Sequence, residues 1–416
     1  MKKIKVLRIT TEVNRSSIGR TTEQIGKLVL NEGWESFIAW GRADGNSVSQ
    51  KIRIGSKLSV YVHVLLTRLL DMHGYGSYFA TKRFIKQVKK ISPDIIHLHD
   101  IHGYYINHKV LFDYLKVAGI PVVWTHHDCW AFTGHCAHFA IVECEKWKTE
   151  CCGCPQLKAY PTSYYDGSRR NYIRKKALFT SLDNIYHVGV SKWICDELKH
   201  SFFKNHTISF IYNGIDTNKF NPCSVEGDSI RKKYGLGEGP LLIVVATAWS
   251  KNKGLEDYLG LRRILDEKYT ILFVGYPLDQ IALLPKGISG IPRTESIEEL
   301  ATLYSTSSIV LNLSHAESFG KSTAEGLACG VPGIVYNCTA SPELVDSETG
   351  IVVERGDLKG VVDAVETIMS WDKQKTSEKC RQRACELFSI GNNWPKYIEL
   401  YKQILENKNT EGNPLF

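Results

Sequence analysis

The sequence lacks an apolar run long enough to cross a membrane. The longest run, Val60–Leu70, is about half the required length and contains His63 and Arg68. The N-terminal segment Met1–Val13 alternates apolar and polar residues and has no small-residue cleavage site, so it predicts a first strand rather than a signal peptide. We therefore expect a cytoplasmic protein that is soluble or only peripherally attached to a membrane.

Proline and low-complexity sequence are also scarce. The 416 residues include only 13 prolines, show no internal repeat and are 43% apolar, so long disordered regions are not expected. A chain of this length is about twice a typical domain, which predicts two domains.

Acidic residues are scarce in the first half of the chain. Residues 1–210 contain 30 Lys and Arg against 17 Asp and Glu, a net charge of +13, whereas residues 211–416 contain 22 against 27, a net charge of −5. A basic half of this size suits an anionic partner. From charge alone, that partner is equally a nucleic acid, an anionic lipid or a phosphate-bearing substrate.

Two segments concentrate this positive charge at helical spacing. They are Lys82, Arg83, Lys86, Lys89 and Lys90, and Arg169, Arg170, Arg174, Lys175 and Lys176, interleaved with Phe79, Phe84, Ile85 and Tyr172. A solvated helix face and a contact with an anionic membrane are the two main interpretations, and nucleic-acid binding is the third.

Short β-branched runs alternate with amphipathic stretches along the whole chain. Examples are Ile4–Thr10, Ile95–His99 and Val122–Thr125 in the first half, and Leu241–Ala246 and Ile309–Leu313 in the second. This alternation predicts βαβ units, and therefore an α/β fold of two doubly wound domains with parallel sheets. Ligands of such domains bind at the carboxyl ends of the strands.

A polar, turn-rich stretch at 213–239 marks the predicted boundary between the two domains. The first domain is placed at 1–212, with a cysteine-rich insert at 129–161, and the second at 213–385. The remaining residues, 386–416, are predicted to form a C-terminal helix that returns to the first domain and ends in a frayed tail.

The most informative segment is Ser314–Pro332, which lies between two predicted strands. Ser318 and Gly320 mark a strand-to-helix turn, where free backbone N–H groups suit a diphosphate. Glu317 precedes this turn and Glu325 follows it, so the two carboxylates can reach opposite ends of a ligand whose phosphates sit on the turn.

This Glu-x7-Glu segment, followed by Gly-x-Pro, resembles the retaining nucleotide-sugar glycosyltransferases of the GT-B fold in family four. Further features occur in the family's order: His97-x-His99-Asp100, His126-His127-Asp128, Val190-Ser191-Lys192, Asn213-Gly214-Ile215-Asp216 and Lys253-Gly254. The pattern TxHDxWxxTGxC within Val122–Pro161 more narrowly resembles glycosyltransferases of colanic-acid and related surface-polysaccharide synthesis. The resemblance implies two Rossmann-like domains facing across a cleft, the first for the acceptor and the second for the nucleotide-sugar donor.

The same resemblance implies roles on the donor side. Glu325 would accept hydrogen bonds from the ribose hydroxyls and Glu317 would lie near the donor sugar, because each carboxylate oxygen can accept a hydrogen bond. Lys253 would face the diphosphate, whose charge grows as the nucleotide leaves. The donor-binding turn would comprise Ser318, Phe319 and Gly320.

On the acceptor side, the resemblance makes His127 a catalytic contact close to the transferred sugar. The enzyme would mainly align donor and acceptor and stabilise an oxocarbenium-like state, to which a histidine bound to a sugar hydroxyl contributes. His126 and His99 are weaker candidates, and Asp128 could orient either ring.

Two positions depart from the family pattern. Gly19 matches the place where the family brings backbone close to donor and acceptor, but the family often has two adjacent glycines there. Ala248 replaces a usual arginine, so one phosphate-binding cation is missing. Lys251, Lys321 or Arg20 are the candidates to replace it, and Arg20 is also the donor-side residue beside Gly19.

No Asp-x-Asp occurs in the sequence, which removes the usual carboxylate pair that holds a divalent cation on a nucleotide diphosphate. We therefore expect metal-independent catalysis without a cofactor.

The implied partners are a nucleotide-sugar donor, a glycan or lipid-linked oligosaccharide acceptor and the anionic inner face of the cytoplasmic membrane. Nucleic acid is not expected, because a nucleic-acid module does not need the acidic second half. The alternatives are a non-enzymatic nucleotide-sugar-binding protein and a nucleic-acid-binding protein with a zinc knuckle.

Six of the twelve cysteines cluster in a short stretch: Cys129, Cys136, Cys144, Cys151, Cys152 and Cys154. The spacing of Cys151 and Cys154 is that of a chelating knuckle, and Cys136 and Cys144 could complete a tetrahedral structural zinc site. Two disulfides and a set of free thiols are the alternatives, although a reducing cytoplasm disfavours disulfides.

Overall fold

The computed structural model describes residues 3–223 and 227–411. The chain folds into two compact units: unit 1 runs to Ile211 and resumes at Trp394, and unit 2 comprises Tyr212–Asn393. Residues 386–393, which the sequence assigns to the returning C-terminal segment, therefore belong to unit 2.

Unit 1 is built on a seven-stranded parallel sheet. Its strands are β1 (Lys5–Glu12), β2 (Glu35–Ala43), β3 (Gln50–Arg53), β4 (Ile95–Leu98), β5 (Val122–His126), β6 (Ile185–Gly189) and β7 (Thr207–Phe210). They lie in the order β3-β2-β1-β4-β5-β6-β7. The direction of winding reverses between β1 and β4, and the carboxyl ends of strands at such a point form the ligand crevice of doubly wound sheets.

Seven helices belong to the described part of unit 1: α1 (Ser17–Asn31), α2 (Lys57–Leu70), α3 (Tyr78–Ile91), α4 (His108–Ala118), α5 (Ser168–Phe179), α6 (Lys192–His200) and α14 (Pro395–Glu411). Ser16, Asn107 and Ser191 cap α1, α4 and α6, because each side-chain oxygen accepts a hydrogen bond from a first-turn N–H. Helix α14 continues to Glu411, beyond the start of the expected frayed tail, and residues 412–416 lie outside the described residues.

Unit 2 contains a six-stranded parallel sheet in the order β10-β9-β8-β11-β12-β13. Its elements are α7 (Gly227–Lys233), β8 (Leu241–Val245), α8 (Leu255–Arg262), β9 (Thr270–Val274), β10 (Ile288–Ile291), α9 (Ile297–Ser305), β11 (Ile309–Asn312), α10 (Lys321–Ala328), β12 (Gly333–Tyr336), β13 (Gly350–Val353), α11 (Leu358–Met369), α12 (Lys373–Arg383) and α13 (Ile390–Asn393). The winding reverses between β8 and β11, as it does between β1 and β4 in unit 1. Both units therefore have the doubly wound α/β topology that the sequence predicts.

The structure adds elements that the sequence pattern does not reveal. Strand β3 is an edge strand with three of its four residues exposed, so it lacks the apolar run that marks a buried strand. The helical region before Lys90 is divided into α2 and α3, because Asp71 and Ser77 adopt left-handed backbone conformations with φ of 50° and 56°. Among the described residues, no helix is both long and apolar enough to span a bilayer.

Candidate functional site

The loops that follow β8 and β11 lie against each other in unit 2. The backbone N–H of His315 donates to the carbonyl of Asn252 at 2.8 Å. Gly254 has a φ of 73°, and a Cβ there would lie 2.1 Å from the carbonyl oxygen of Leu313, so only glycine fits. This close approach fixes Lys253 beside the residues that follow β11.

Lys253 and Glu317, both predicted donor-side residues, form an ion pair. Their Nζ and Oε1 atoms are 2.5 Å apart, and the side chains are 35% and 14% exposed. The backbone of Glu317 is held by Thr339, whose hydroxyl accepts from its N–H at 2.8 Å, and by the N–H of Ala340, which donates to its carbonyl at 3.2 Å. The pair thus presents one cation and one carboxylate on a fixed backbone with access to solvent.

Helix α10 begins directly after this pair. Gly320 precedes its first residue with a φ of 92°, and no side chain caps the helix N-terminus. Ser318 is half-buried, whereas Phe319 is 2% exposed and packs against Tyr212 and Phe388 at centroid distances of 5.9 and 5.5 Å. Phe319 is therefore a core side chain that anchors the turn, and a donor could contact only its backbone.

Glu325 lies in the second turn of α10 and is half-buried. The hydroxyl of Tyr304 donates to its Oε2 atom at 3.3 Å. Burial, together with the adjacent Glu325 carboxylate, raises the pKa of Tyr304 well above its ordinary value, so the tyrosine remains a donor. This contact, which the sequence does not indicate, orients the carboxylate predicted to bind ribose.

The missing family cation leaves an exposed Ala248 in the loop after β8. Of the proposed replacements in unit 2, Lys251 is exposed and lies 3.9 Å from Glu256, and Lys321 is half-buried at the first position of α10. Lys321 therefore occupies the helix start where an anion would bind, whereas Lys251 is a solvated loop residue.

In unit 1, His127 follows β5 and contacts a set of buried histidines. Its Nε2 is 3.2 Å from Nδ1 of His99, and the two rings stack at a centroid distance of 5.5 Å. The ring of His99 in turn lies 3.9 Å from that of His97, which hydrogen-bonds Tyr401 of α14 at 2.5 Å and Thr125 at 2.8 Å. His127 is the half-buried end of this set and the member that a ligand could reach.

The buried histidines are neutral. Burial, and then the charges of neighbouring His and Arg8, lower the pKa values of His97 and His99 well below 6.5. His126 is also buried and hydrogen-bonds His187 at 2.8 Å, which places it in the core rather than beside His127. His99 therefore contacts and stacks on His127, whereas His126 does not belong to this group.

Asp128 pairs with a residue that the sequence analysis does not single out. The Nε2 atom of His102 lies 2.6 Å from Asp100 and 2.8 Å from Asp128, and its Nδ1 lies 2.9 Å from the hydroxyl of Tyr160. Asp128 therefore orients His102, not His126 or His99. The signal available in the sequence was the continuation of the His97-x-His99-Asp100 motif to a third histidine two residues later.

This Asp–His–Asp cluster is strongly polar. Burial alone would lower the pKa of His102, but Asp100 and then Asp128 raise it well above its ordinary value. Burial likewise opposes ionisation of Asp128, yet His102 holds the pKa of that carboxyl well below its usual range. Among the described residues, these are also the three potential metal-ligand side chains whose ligand atoms lie within 4.8 Å of one another.

The sequence predicts a loop at Asn14–Arg20 after the first strand, but Gly19 and Arg20 lie in α1, which begins at Ser17. Gly19 is buried, and a Cβ at this position would lie 2.9 Å from the carbonyl oxygen of Glu12 and 3.0 Å from the nitrogen of Asn14. The glycine is thus required by the packing of α1 against the end of β1. Arg20 is half-buried.

The predicted cysteine ligands Cys136, Cys144, Cys151 and Cys154 line one concavity in unit 1. All twelve cysteines of the chain are free thiols in the structure, so the disulfide alternative is not realised there. Cys136 and Cys154 hydrogen-bond each other, which lowers the pKa of Cys154.

The two predicted basic segments differ in the structure. Lys82, Arg83 and Lys86 are all exposed on α3. On α5, by contrast, Lys175 is buried: its ammonium donates to the carbonyls of Trp130 and Thr133 at 2.7 and 3.1 Å. The expectation that Lys175 contributes to a solvated basic face is therefore wrong. The interleaved residues Phe84, Ile85 and Tyr172 are likewise buried in the core.

Comparisons with known proteins cover both units. The family model described as Glycosyltransferase Family 4 matches residues 18–219, and the model described as Glycosyl transferases group 1 matches residues 239–370. The putative colanic acid biosynthesis glycosyl transferase WcaC of Escherichia coli K12 is 27% identical over 201 residues, which are 45% of this chain and 48% of that protein. The chain thus spans about half the length of this relative.

Solved structures match over almost the entire chain. A glycosyltransferase from Rickettsia africae ESF-5 aligns with a TM-score of 0.70 and 18% identity, covering 98% of this chain and 100% of that one. Anabaena Alr3699/HepE, solved in complex with UDP and glucose, aligns with a TM-score of 0.67 and 15% identity, covering 96% and 99%. These likenesses establish the fold. Two doubly wound units, each matched by its own glycosyltransferase model, show that the chain belongs to the group 1 glycosyl transferases of family four, with the GT-B fold.

Proposed function

We propose that the chain is a retaining, metal-independent glycosyltransferase. It transfers a sugar from a nucleotide-diphosphate donor, a UDP-sugar in the first place and a GDP-sugar as the alternative, to a surface polysaccharide or lipid-linked oligosaccharide. The observation that carries this proposal is the Lys253–Glu317 ion pair directly before the uncapped N-terminus of α10 in unit 2. The name of the E. coli relative and the UDP complex of the Anabaena protein support the acceptor class and the donor.

The chemistry of the donor explains why this pair suits it. When the bond between the sugar and the diphosphate breaks, its electrons pass to the phosphate oxygen, and negative charge accumulates there while positive charge develops on the sugar. Lys253 and the N-terminus of α10 stabilise the departing anion. Glu317 lies on the opposite side of the ion pair, where a carboxylate can accept hydrogen bonds from sugar hydroxyls.

Glu325 and His127 complete the proposed roles. Glu325, oriented by Tyr304, accepts hydrogen bonds from the ribose. In unit 1, His127 donates to or accepts from a hydroxyl of the transferred sugar, and its stacked neighbour His99 holds the ring in place. These groups align the reactants, which is where most of the catalytic effect of a glycosyl transfer without a metal arises.

We propose metal independence because the sequence contains no Asp-x-Asp to hold a cation on the diphosphate. The Asp100–His102–Asp128 cluster is the described set with metal-ligand geometry, but both of its carboxylates are paired with His102. We assign this cluster no part in diphosphate binding.

Turnover with a panel of UDP- and GDP-sugars tests the proposal. The purified chain is incubated with each donor and with lipid-linked oligosaccharides, in EDTA and in added Mg²⁺, and glycosylated product is detected by mass spectrometry. With the preferred donor, we expect turnover to be equal in EDTA and in Mg²⁺. The new glycosidic linkage should have the same anomeric configuration, α or β, as the donor. Tight donor binding without turnover would favour the non-enzymatic alternative, and product of inverted configuration would refute the retaining mechanism.

We further propose that unit 1 binds the anionic inner face of the cytoplasmic membrane. Exposed basic residues on α3 are accompanied by an apolar stripe on α2, formed by Leu58, Tyr61, Leu65 and Leu69, all more than half exposed. A helix with an exposed apolar face beside clustered lysines is typical of an interfacial membrane contact, and an acceptor that is lipid-linked would be found there.

Sedimentation with phosphatidylglycerol vesicles tests this contact. Reversing Lys82, Arg83 and Lys86 to Glu should weaken binding on the order of 100-fold, because each basic residue near an anionic surface contributes about 1 kcal/mol. The matched control reverses the exposed Lys359, Lys373 and Lys375 of unit 2, which changes net charge equally. Equal loss in both triple variants, or binding that is indifferent to salt, would refute a specific docking face.

A further inference from the structure

The cysteine-rich insert of unit 1 has little regular structure of its own. Across the described residues 129–161 the only helices are three short 3₁₀ turns, Trp130–Phe132, Phe139–Val142 and Lys146–Lys148. Phe132, Phe139 and Trp147 form its aromatic cluster, with ring centroids 4.7 to 6.4 Å apart, and Trp130, Ala131 and Ala137 are also buried. A segment with so small a core generally needs a covalent or metal crosslink to be stable.

Five cysteines of this insert line one concavity, and all of them except Cys152 are buried or half-buried. Cys136, Cys144, Cys151 and Cys154 all line it, and the thiols of Cys136 and Cys154 contact each other. The Sγ atom of Cys151 also accepts a hydrogen bond from the backbone N–H of Gly134 at 3.2 Å. Backbone N–H donors directed at sulfur stabilise the negative charge of a thiolate.

His135 supplies an independent sign of a ligand at this place. Its Nδ1 lies 2.8 Å from Oδ1 of Asp71, and both side chains are almost completely buried. Its Nε2 is buried and has no hydrogen-bond partner among the residues that the structure describes, and the residue lines the same concavity as the cysteines. An unpartnered polar atom in a buried position indicates that the concavity holds a further group.

The buried Lys175 indicates the charge of that group. Its ammonium donates to two carbonyl oxygens and lies over the face of Trp130, 3.3 Å from the ring centroid, and among the described residues no carboxylate forms an ion pair with it. A buried cation needs compensating negative charge nearby, and the carboxylate of Asp71 has the largest such effect on Lys175. A negatively charged centre in the concavity would add to that compensation.

We propose that the concavity is a structural zinc site in which the thiolates of Cys136, Cys144, Cys151 and Cys154 bind one Zn²⁺ tetrahedrally. Binding releases four thiol protons to solvent, oxidises nothing and leaves a centre of charge −2, which Lys175 partly neutralises. No three of these sulfur atoms lie within 4.8 Å of one another in the described residues. The proposed site therefore requires the cysteine side chains to rotate, and a change between staggered χ1 positions moves Sγ by about 3 Å.

The site would stabilise more than the insert. Gly134, His135 and Cys136 follow Asp128 and Trp130 closely in the loop after β5, so a metal at Cys136 fixes the segment that presents Asp128 to His102. All four protein ligands are thiolates, which leaves no open coordination position for a substrate.

Metal analysis of the purified full chain tests the proposal. We expect about one zinc per chain, four thiols protected from Ellman's reagent until a chelator is added, and thiolate-to-metal charge-transfer absorption after replacement with Co²⁺. Cys144→Ser and Cys154→Ser should each lose the bound zinc. The matched control is Cys152→Ser, which removes an exposed neighbouring thiol and should retain it.

A wild-type chain with no zinc and freely titrating thiols would overturn the proposal, as would a disulfide found among the four cysteines under reducing purification. His135→Gln separates the ligand sets. We expect this variant to retain zinc. If it loses zinc while Cys144→Ser retains it, the metal is bound by His135 rather than Cys144, and the four-thiolate site is refuted. Because the wild-type measurements need no mutant, a variant that fails to fold does not impair the test.

Discussion

Units 1 and 2 each contain a parallel doubly wound sheet, but their polar side chains have different kinds of partners. In unit 1, His97, His99 and His102 are held by other buried or half-buried groups of the same unit. In unit 2, Lys253 and Glu317 have mainly each other, with one-third of the lysine side chain exposed. The first arrangement builds a rigid surface, whereas the second can exchange its internal partner for a ligand.

The difference leads to distinct expectations for mutation. Loss of a group in the unit 1 network leaves other buried polar groups unpaired, so its main effect falls on stability. Loss of a group from the unit 2 pair leaves the remaining side chain in contact with solvent, so its main effect falls on ligand binding and turnover. The two halves of the chain also differ in net charge, +13 for residues 1–210 against −5 for residues 211–416. A basic surface and a site with carboxylates suit different partners.

The largest expected effect is that of Lys253→Ala. If Lys253 stabilises the departing diphosphate, its removal should lower kcat by about 100- to 1,000-fold, the usual effect of losing a preorganised donor at a developing charge, with a smaller change in donor Kd. Steady-state kinetics and equilibrium donor binding measure the two effects separately. Lys251→Ala, in the same loop but solvated, is the control, and an equal loss in both variants would contradict the assigned role.

In unit 1, His102→Gln should destabilise the fold by about 3 kcal/mol, because it breaks a largely buried ion pair and leaves Asp100 and Asp128 without a cation. The pKa of His102 is raised in the folded state, so its contribution is complete below the unfolded pKa near 6.5 and declines as pH rises through the raised value. Urea unfolding of both chains from pH 6 upwards should show the difference shrinking with increasing pH. A difference that grows with pH would contradict the assignment.

Glu325→Ala should weaken nucleotide binding by about 1.5–3 kcal/mol, the loss expected for a charge-assisted hydrogen bond. Calorimetric titration with UDP and GDP measures the change. The matched control is Glu348→Ala, an exposed carboxylate of the same unit. Unchanged nucleotide affinity in Glu325→Ala would remove this residue from the ribose site.

The smallest expected effect is that of Tyr304→Phe, which deletes the hydroxyl that orients Glu325 and keeps the buried ring. Nucleotide affinity should fall by about 1 kcal/mol, or roughly fivefold. The same substitution in the Glu325→Ala background should have no further effect, since the two residues then no longer act together. Additive losses would show that Tyr304 acts independently of Glu325.

Several features of this protein could be predicted from local sequence. The alternation of β-branched runs and amphipathic stretches identifies the parallel α/β units, because burial on both faces of a strand requires a continuous apolar run such as Leu241–Val245. The donor-side candidates Lys253, Glu317 and Glu325 come from the resemblance of their motifs to the family, and their roles stay predictions.

Other features depend on contacts between residues far apart in the chain. Arg8 lies in β1 and is completely buried, where its guanidinium donates to Ser36 and Ser49 and burial lowers its pKa to about 10. His97 is held by Tyr401, 304 residues later. Residue spacing along a helix or strand defines a face, but only the packed partners decide whether that face is buried. The tertiary structure alone therefore placed Lys175 in the core, paired His102 with two aspartates and left the apolar face of α2 exposed, because each outcome depends on which distant segment packs against it.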